Sequence, residues 1–193
     1  MCRLFQFGNA LLTMSVLFVG CTNRFDKDLE AFVKEPIHIP YQTMDKRVCS
    51  IYTDTLSSEK MLRIVNYIDT LDCSTCALSR LAAVEKEKKD LDELKDVGFV
   101  YVIETDTEKA ENVYFAFCNA RIEGAVYLDT CHAFLRANPH IPDDPLFHTF
   151  VLNEQDSVVL VGDPFKNEKM EKLLLKVIDK EKQRRKKDKN IRE

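Results

Sequence analysis

The chain has 193 residues, 28 Lys and Arg against 32 Asp and Glu, and a formal charge of −4 at pH 7. That length carries one domain with a sizeable core. Charges of both signs are interleaved along most of it, which argues against a nucleic-acid binder.

The first predicted element is a targeting segment. Arg3 is the only charge in the first twenty residues, 4–19 is mostly apolar, and after Gly20-Cys21 the chain turns polar at Thr22, Asn23, Arg24 and Asp26. A basic start, a short apolar stretch and a small residue at the cut are the parts of a secretory signal. Gln6, Gly8 and Asn9 interrupt the stretch too early for a bilayer-spanning helix. Leu17-Phe18-Val19-Gly20-Cys21 resembles the lipobox of bacterial lipoproteins, with Phe18 where leucine is usual. The resemblance implies that residues 1–20 are removed and that Cys21 carries a lipid. The domain is then tethered to a membrane of the cell envelope and faces the periplasm, surface exposure being the variant. An ordinary cleaved signal or an uncleaved anchor is the competing reading. Only Arg3 is lost in the cut, so −4 becomes −5.

Residues 21–45, with Pro36, Pro40 and little periodicity, read as a tether and lead-in; 46–180 read as the domain. The run 60–68 (KMLRIVNYI) suits a strand buried on both faces. A loop, 69–72, leads to a helix from Ser74 to about Leu94, with Leu78, Leu81, Val84, Lys88 and Leu91 in helical spacing and 85–89 on its solvated side. Gly98 ends that segment before a second buried strand, 99–103. A helix follows over about 108–120 with Val113 and Phe117 inward, then a short strand 125–129 and a short helix 131–137 stopped near Pro139. Two strands, 147–152 and 157–161, flank the turn 153–156. Asn167 caps a last helix whose stripe is Met170, Leu173, Leu174, Val177 and Ile178. Residues 176–193 hold nine Lys and Arg against four Asp and Glu. The segment 181–193 has one apolar residue, Ile191, and reads as a basic, disordered tail. Strands alternating with helices and closed by a hairpin and helix call for a mixed sheet covered by helices.

Setting aside Cys2 and Cys21, five cysteines remain: Cys49, Cys73, Cys76, Cys118 and Cys131. One disulfide with three thiols, or two with one thiol, are both allowed, and only Cys73 and Cys76 pair on spacing alone. Cys73-Ser74-Thr75-Cys76 stands where a buried strand hands over to a helix. Free N–H groups and the positive end of the helix dipole there favour a thiolate at Cys73. Cys76, one turn on, can close a disulfide and release a partner held at Cys73.

With that strand, the CSTC, 97–103 (VGFVYVI), 149–162 and the final helix, the chain from Lys60 to about Ile178 resembles the thioredoxin-like fold. Its nearest likeness is the membrane-anchored thiol–disulfide oxidoreductase and peroxiredoxin-related branch. The resemblance implies an α/β three-layer mixed sheet flanked by helices, with an inserted helical segment between Asp106 and Pro145. It implies that Cys73 attacks and Cys76 resolves, that the partner is a protein thiol or disulfide, and that no cofactor is used. Asp72 stands where the family usually has an aromatic residue, and its carboxylate opposes a thiolate at Cys73. His148 stands at the family's cis-proline position, which would put it beside both sulfurs as a base or adventitious metal ligand; an exposed strand-end histidine is the plainer reading. The T-x-x-C signature of the peroxidases is absent.

A structural zinc needs a second close pair of ligands, which Cys49, Cys118, Cys131 and His132 do not make. Asp69 and Asp72 read as loop and helix-start residues, Cys131 as a half-buried thiol, and Phe115, Phe117, Phe134 and Phe150 as core. Two function classes stay open: a redox enzyme using the dithiol, and a non-catalytic binding or assembly lipoprotein whose C-x-x-C is vestigial.

Overall fold

The run LRIVNYI forms β2 (Leu62–Ile68), a central strand of the computed structural model, which describes residues 22–49, 60–69, 74–88 and 92–192. All but Asn66 of its residues are buried, as a strand covered on both faces requires. The sheet runs β1-β4-β3-β2-β5-β6, with β1 (Asp45–Val48), β3 (Val97–Glu104), β4 (Ala125–Asp129), β5 (Thr149–Leu152) and β6 (Val158–Val161). β2, β3 and β4 are parallel, with Val65 opposite Val100 and Val102 opposite Tyr127. β5 lies antiparallel on β2, β6 on β5, and β1 on β4. Parallel neighbours need crossover helices, whereas an antiparallel pair closes through a short turn. Accordingly α2 (Ser74–Lys88) joins β2 to β3 and α3 (Ala110–Asn119) joins β3 to β4, while 153–157 turn the β5–β6 hairpin.

The alternation of side chains along β2 sorts the core into two faces. Val65 and Tyr67 meet Phe150, Phe134 of α4 (Ala133–Ala137) and Phe32 of α1 (Thr22–Lys34). Leu62, Ile64 and Ile68 face the other way, toward Leu78 and Leu81 of α2, Phe117 of α3, and Leu174 and Ile178 of α5 (Glu168–Arg192). The result is a mixed sheet between two helical layers, as expected, and the segment after Asp106 supplies α3, β4 and α4.

Several expectations are corrected. Residues 22–45 do not form a tether: α1 buries Phe32 completely, and Ile37, Ile39 and Met44 join the same core. The buried Asn138 side chain pins this stretch, accepting from His38 N at 2.7 Å and donating to His38 O at 2.7 Å and Phe134 O at 2.8 Å. The lead-in does carry a helical period, with Phe25, Leu29 and Phe32 at i, i+4 and i+7, and that face covers one side of the sheet. The basic end is not a disordered tail either; α5 continues to Arg192, and Arg184 and Arg185 both reach Glu154 on the hairpin turn. Those ion pairs tie the helix to the turn.

Smaller corrections follow from pairing across the sheet. Gly98 lies inside β3, opposite Arg63, rather than ending the segment before it. α2 is assigned to Lys88, with a 3-10 turn at Asp92–Asp96 before β3. Glu85 is not on a solvated side; it is buried and accepts the Tyr101 hydroxyl at 3.1 Å. Phe115 is 56% exposed, whereas Phe117, Phe134 and Phe150 are buried. Cys131 is exposed, not half-buried.

Candidate active site

β2 ends at Ile68 and α2 begins at Ser74, so Cys73 directly precedes the first helical residue and Cys76 falls in the first turn. Cys73, its neighbour Asp72 and the predicted lipid site Cys21 lie outside the described residues; of Cys76 only the backbone is described.

His148 is placed by a 3-10 turn, Pro145–Phe147, that opens with proline at its first position and with the Asp144 carboxylate accepting from Leu146 N at 3.0 Å. His148 closes that turn, donating its N–H to Pro145 O at 3.1 Å, and its carbonyl accepts Tyr67 N–H at 2.8 Å. This backbone bond extends the β2–β5 pairing and seats His148 beside the departure of β2 toward Cys73. The imidazole is buried, not an exposed strand-end group. It stands edge-on to the Tyr67 ring at 5.1 Å, and Nδ1 lies 3.8 Å from the Asp69 carboxylate without a hydrogen bond of its own. Among the described residues no peptide bond is cis. The structure thus brings together His148 and Asp69, the latter four residues ahead of Cys73.

The same sheet end holds groups that the sequence analysis did not single out. Tyr67 donates its hydroxyl to Glu104 at 2.6 Å, and the other Glu104 oxygen lies 2.8 Å from His132 Nδ1. Glu104 is buried while His132 is largely exposed, so the carboxylate links a solvent-facing imidazole to an interior phenol. Burial first, then the bond to Glu104, holds the Tyr67 hydroxyl well above its usual 10.0. His132 has φ +54, a left-handed backbone uncommon outside glycine. Asp129 fixes it there: fully buried, its carboxylate accepts from Ala133 N at 2.9 Å, Phe134 N at 2.8 Å and Cys131 N at 3.3 Å. Asp129 therefore satisfies the first amides of α4. Asp69, Glu104 and Asp129 close or follow three adjacent parallel strands, the end at which open α/β sheets hold their ligands. An acid directly after each apolar run was the available signal.

The remaining cysteines part company. Cys49 and Cys118 form a disulfide, which spacing alone did not select. It follows β1 at the edge where Val48 pairs with Ala125, the start of β4, so it lies at the sheet end opposite His148. Cys131 is a free thiol 3.8 Å from an Asp129 oxygen. Among the described residues no group of three or more His, Cys, Asp or Glu is arranged to hold a metal ion. A cavity of about 580 Å³ opens between α1 and residues 139–144, but neither His148 nor Asp69 lines it.

No protein-family model matches the chain, and no curated protein sequence matches it. Among solved structures, a secreted thiol-disulfide isomerase from Corynebacterium glutamicum is similar with a TM-score of 0.50, over 75% of this chain and 98% of its own, at 12% identity. The thioredoxin domain of a thiol-disulfide oxidoreductase from Bacteroides vulgatus is similar with a TM-score of 0.47, over 63% and 81%, at 13% identity. An uncharacterized thioredoxin-like protein from Porphyromonas gingivalis gives 0.44, over 61% and 74%, at 20% identity. The first of these likenesses establishes the fold as thioredoxin-like and, at that identity, the fold alone.

Proposed function

We propose that the chain is a lipid-anchored, extracytoplasmic thiol–disulfide oxidoreductase acting through Cys73 and Cys76. The observation that carries this reading is the position of the C-x-x-C, between a central strand of a thioredoxin-like sheet and the start of α2. In the reducing direction a Cys73 thiolate attacks one sulfur of a partner disulfide, that S–S bond breaks, and the partner's other sulfur leaves as a thiolate. Cys76 then attacks Cys73, the mixed disulfide breaks, and the Cys73–Cys76 disulfide keeps the two electrons' worth of oxidation that the partner has lost. Run backwards, the same steps oxidise a partner dithiol.

The Cys49–Cys118 disulfide supports an oxidising compartment, since such bonds persist outside the cytoplasm. Among the described residues no helix is long and apolar enough to cross a membrane; the attachment in this reading is the lipid at Cys21, on the lipobox resemblance. The second reading, a binding or assembly lipoprotein with a vestigial C-x-x-C, draws on His148 at the position of the groove-shaping proline and on Asp72 beside Cys73. One experiment separates the two. Cys76→Ser should accumulate mixed disulfides on Cys73, because attack survives while resolution does not, and Cys73→Ser should accumulate none. Equal trapping by both variants, or by neither, favours the binding module.

A further inference from the structure

α1 lies along β5 and runs in the same direction. At its start the Phe25 ring is 5.4 Å from Phe147, in its last turn Phe32 lies between Phe147 at 5.5 Å and Phe150 at 5.3 Å, and beyond its end Ile37 N–H bonds Asp156 O at 2.9 Å on the hairpin turn. Phe147 adjoins His148, so α1 starts at the sheet end from which β2 departs toward Cys73, and finishes at the opposite end. Cys21 directly precedes Thr22, the first helical residue. A helix rises 1.5 Å per residue, so Thr22 stands less than one turn, about 5 Å along the axis, from Phe25. No spacer separates the lipid-bearing position from a helix packed on the core.

Two of the large apolar side chains left exposed on this molecule belong to the same end: Phe25 at 43% and Leu146, in the 3-10 turn beside Phe147, at 49%. Arg24, in the first turn of α1, is almost fully exposed, and Asp28, Asp143 and Asp144 lie around it. That mixture favours shallow apolar contact with a neutral lipid surface over attraction by net charge.

We infer that the end of the sheet carrying the candidate dithiol is seated on the bilayer, with Phe25 and Leu146 entering the boundary between head groups and acyl chains. The inference rests on lipidation at Cys21. The bilayer is the occupant because Cys21, the proposed lipid site, is the residue next to Thr22, which opens α1 at this end. A partner disulfide is then met at the membrane surface rather than in the open periplasm.

The chain has no tryptophan, so a single introduced indole reports one position cleanly. Full-length Phe25→Trp, Leu146→Trp and, at the opposite end, Gln155→Trp proteins are isolated from membranes and their residue-21 lipid is checked by mass. They are then reconstituted in phosphatidylcholine vesicles with or without bromine on the acyl chains. Blue-shifted emission and several-fold stronger bromolipid quenching of the Phe25→Trp and Leu146→Trp proteins than of the Gln155→Trp protein is the expected result. Lipidated protein that floats with the vesicles while all three variants are quenched alike, or not at all, overturns the seating and leaves the anchor standing. Protein with no lipid at residue 21 overturns both.

Discussion

Tyr67 donates its hydroxyl to Glu104 at 2.6 Å inside the sheet end that faces His148, and both residues are buried. The pair predicts an alkaline limit on stability. Tyr67 is held above the usual 10.0 by burial and then by Glu104, and Tyr101 is raised in the same way by burial and by Glu85. Above pH 10 the unfolded chain sheds these phenolic protons while the folded chain keeps them. Stability is therefore intact below that pH and falls as pH rises beyond it, by about one proton's slope per tyrosine. Urea unfolding as a function of pH should show the fall, and Tyr67→Phe should lessen its slope. The same substitution costs about 1–3 kcal/mol at neutral pH by leaving Glu104 short of a donor.

The N-terminal stretch should behave as part of the fold. Phe32→Ala removes a fully buried ring that contacts Phe147 and Phe150, and should cost about 3–5 kcal/mol. Asn138→Ala breaks three hydrogen bonds that join residue 38 to α4, at a cost of about 1–3 kcal/mol. Calorimetry of the two variants checks both values. A chain beginning at residue 46 should lack cooperative unfolding altogether.

The Cys49–Cys118 disulfide closes a sequence separation of 69 residues. Replacing both cysteines by serine should destabilise the protein by about 2–4 kcal/mol. Because this bond lies at the sheet end opposite His148, the reduction potential of the Cys73/Cys76 pair should stay where it was. A shift of that potential together with stability would instead mean that the two sulfur pairs exchange.

His148 should tune the attacking thiol. On the proposed reading a charged imidazole at residue 148 would favour a thiolate at Cys73 and offset Asp72, so His148→Ala is expected to raise the apparent pKa of Cys73, whereas His148→Pro tests the groove. The pH dependence of Cys73 alkylation in the reduced protein gives the answer. Superimposable curves for the parent and His148→Ala would confine His148 to its contacts with Tyr67 and Asp69.

Where burial comes from one continuous element, the sequence was a good guide. β2, β4 and the stripe of α5 at Leu174 and Ile178 were legible because dense apolar runs and helical spacing reflect their own two faces. Ile37 and Ile39 escaped because each stands alone between polar residues and prolines, and Phe32 because the short stripe Phe25, Leu29, Phe32 was passed over; what buries them comes from about 100 residues further on, through Phe150, Asn138 and Asp156. Glu85 looked solvated among lysines for the same reason: its partner, Tyr101, lies on another element. At the candidate site the C-x-x-C could be read from spacing, whereas the place of His148 beside the end of β2 came only with the thioredoxin-like resemblance. Glu104 was visible as an acid directly after an apolar run, but its burial was not, because it rests on Tyr67 and on His132, whose approach depends on the left-handed turn at residue 132.

The direction of α5 has a consequence for the molecule's long-range field. The helix starts after Asn167, near the strand end where Gly162 N bonds Thr149 O, and runs to the hairpin turn, where Arg184 and Arg185 clasp Glu154. Its last cationic turns are thus carried to the pole farthest from α1's first turn, roughly 35 Å from where α5 begins. Screening at physiological ionic strength sets in over about 8 Å, so those charges cannot feel head groups at the other pole. On the proposed seating, salt should leave attachment to the membrane unchanged, and the cationic pole faces away from the bilayer.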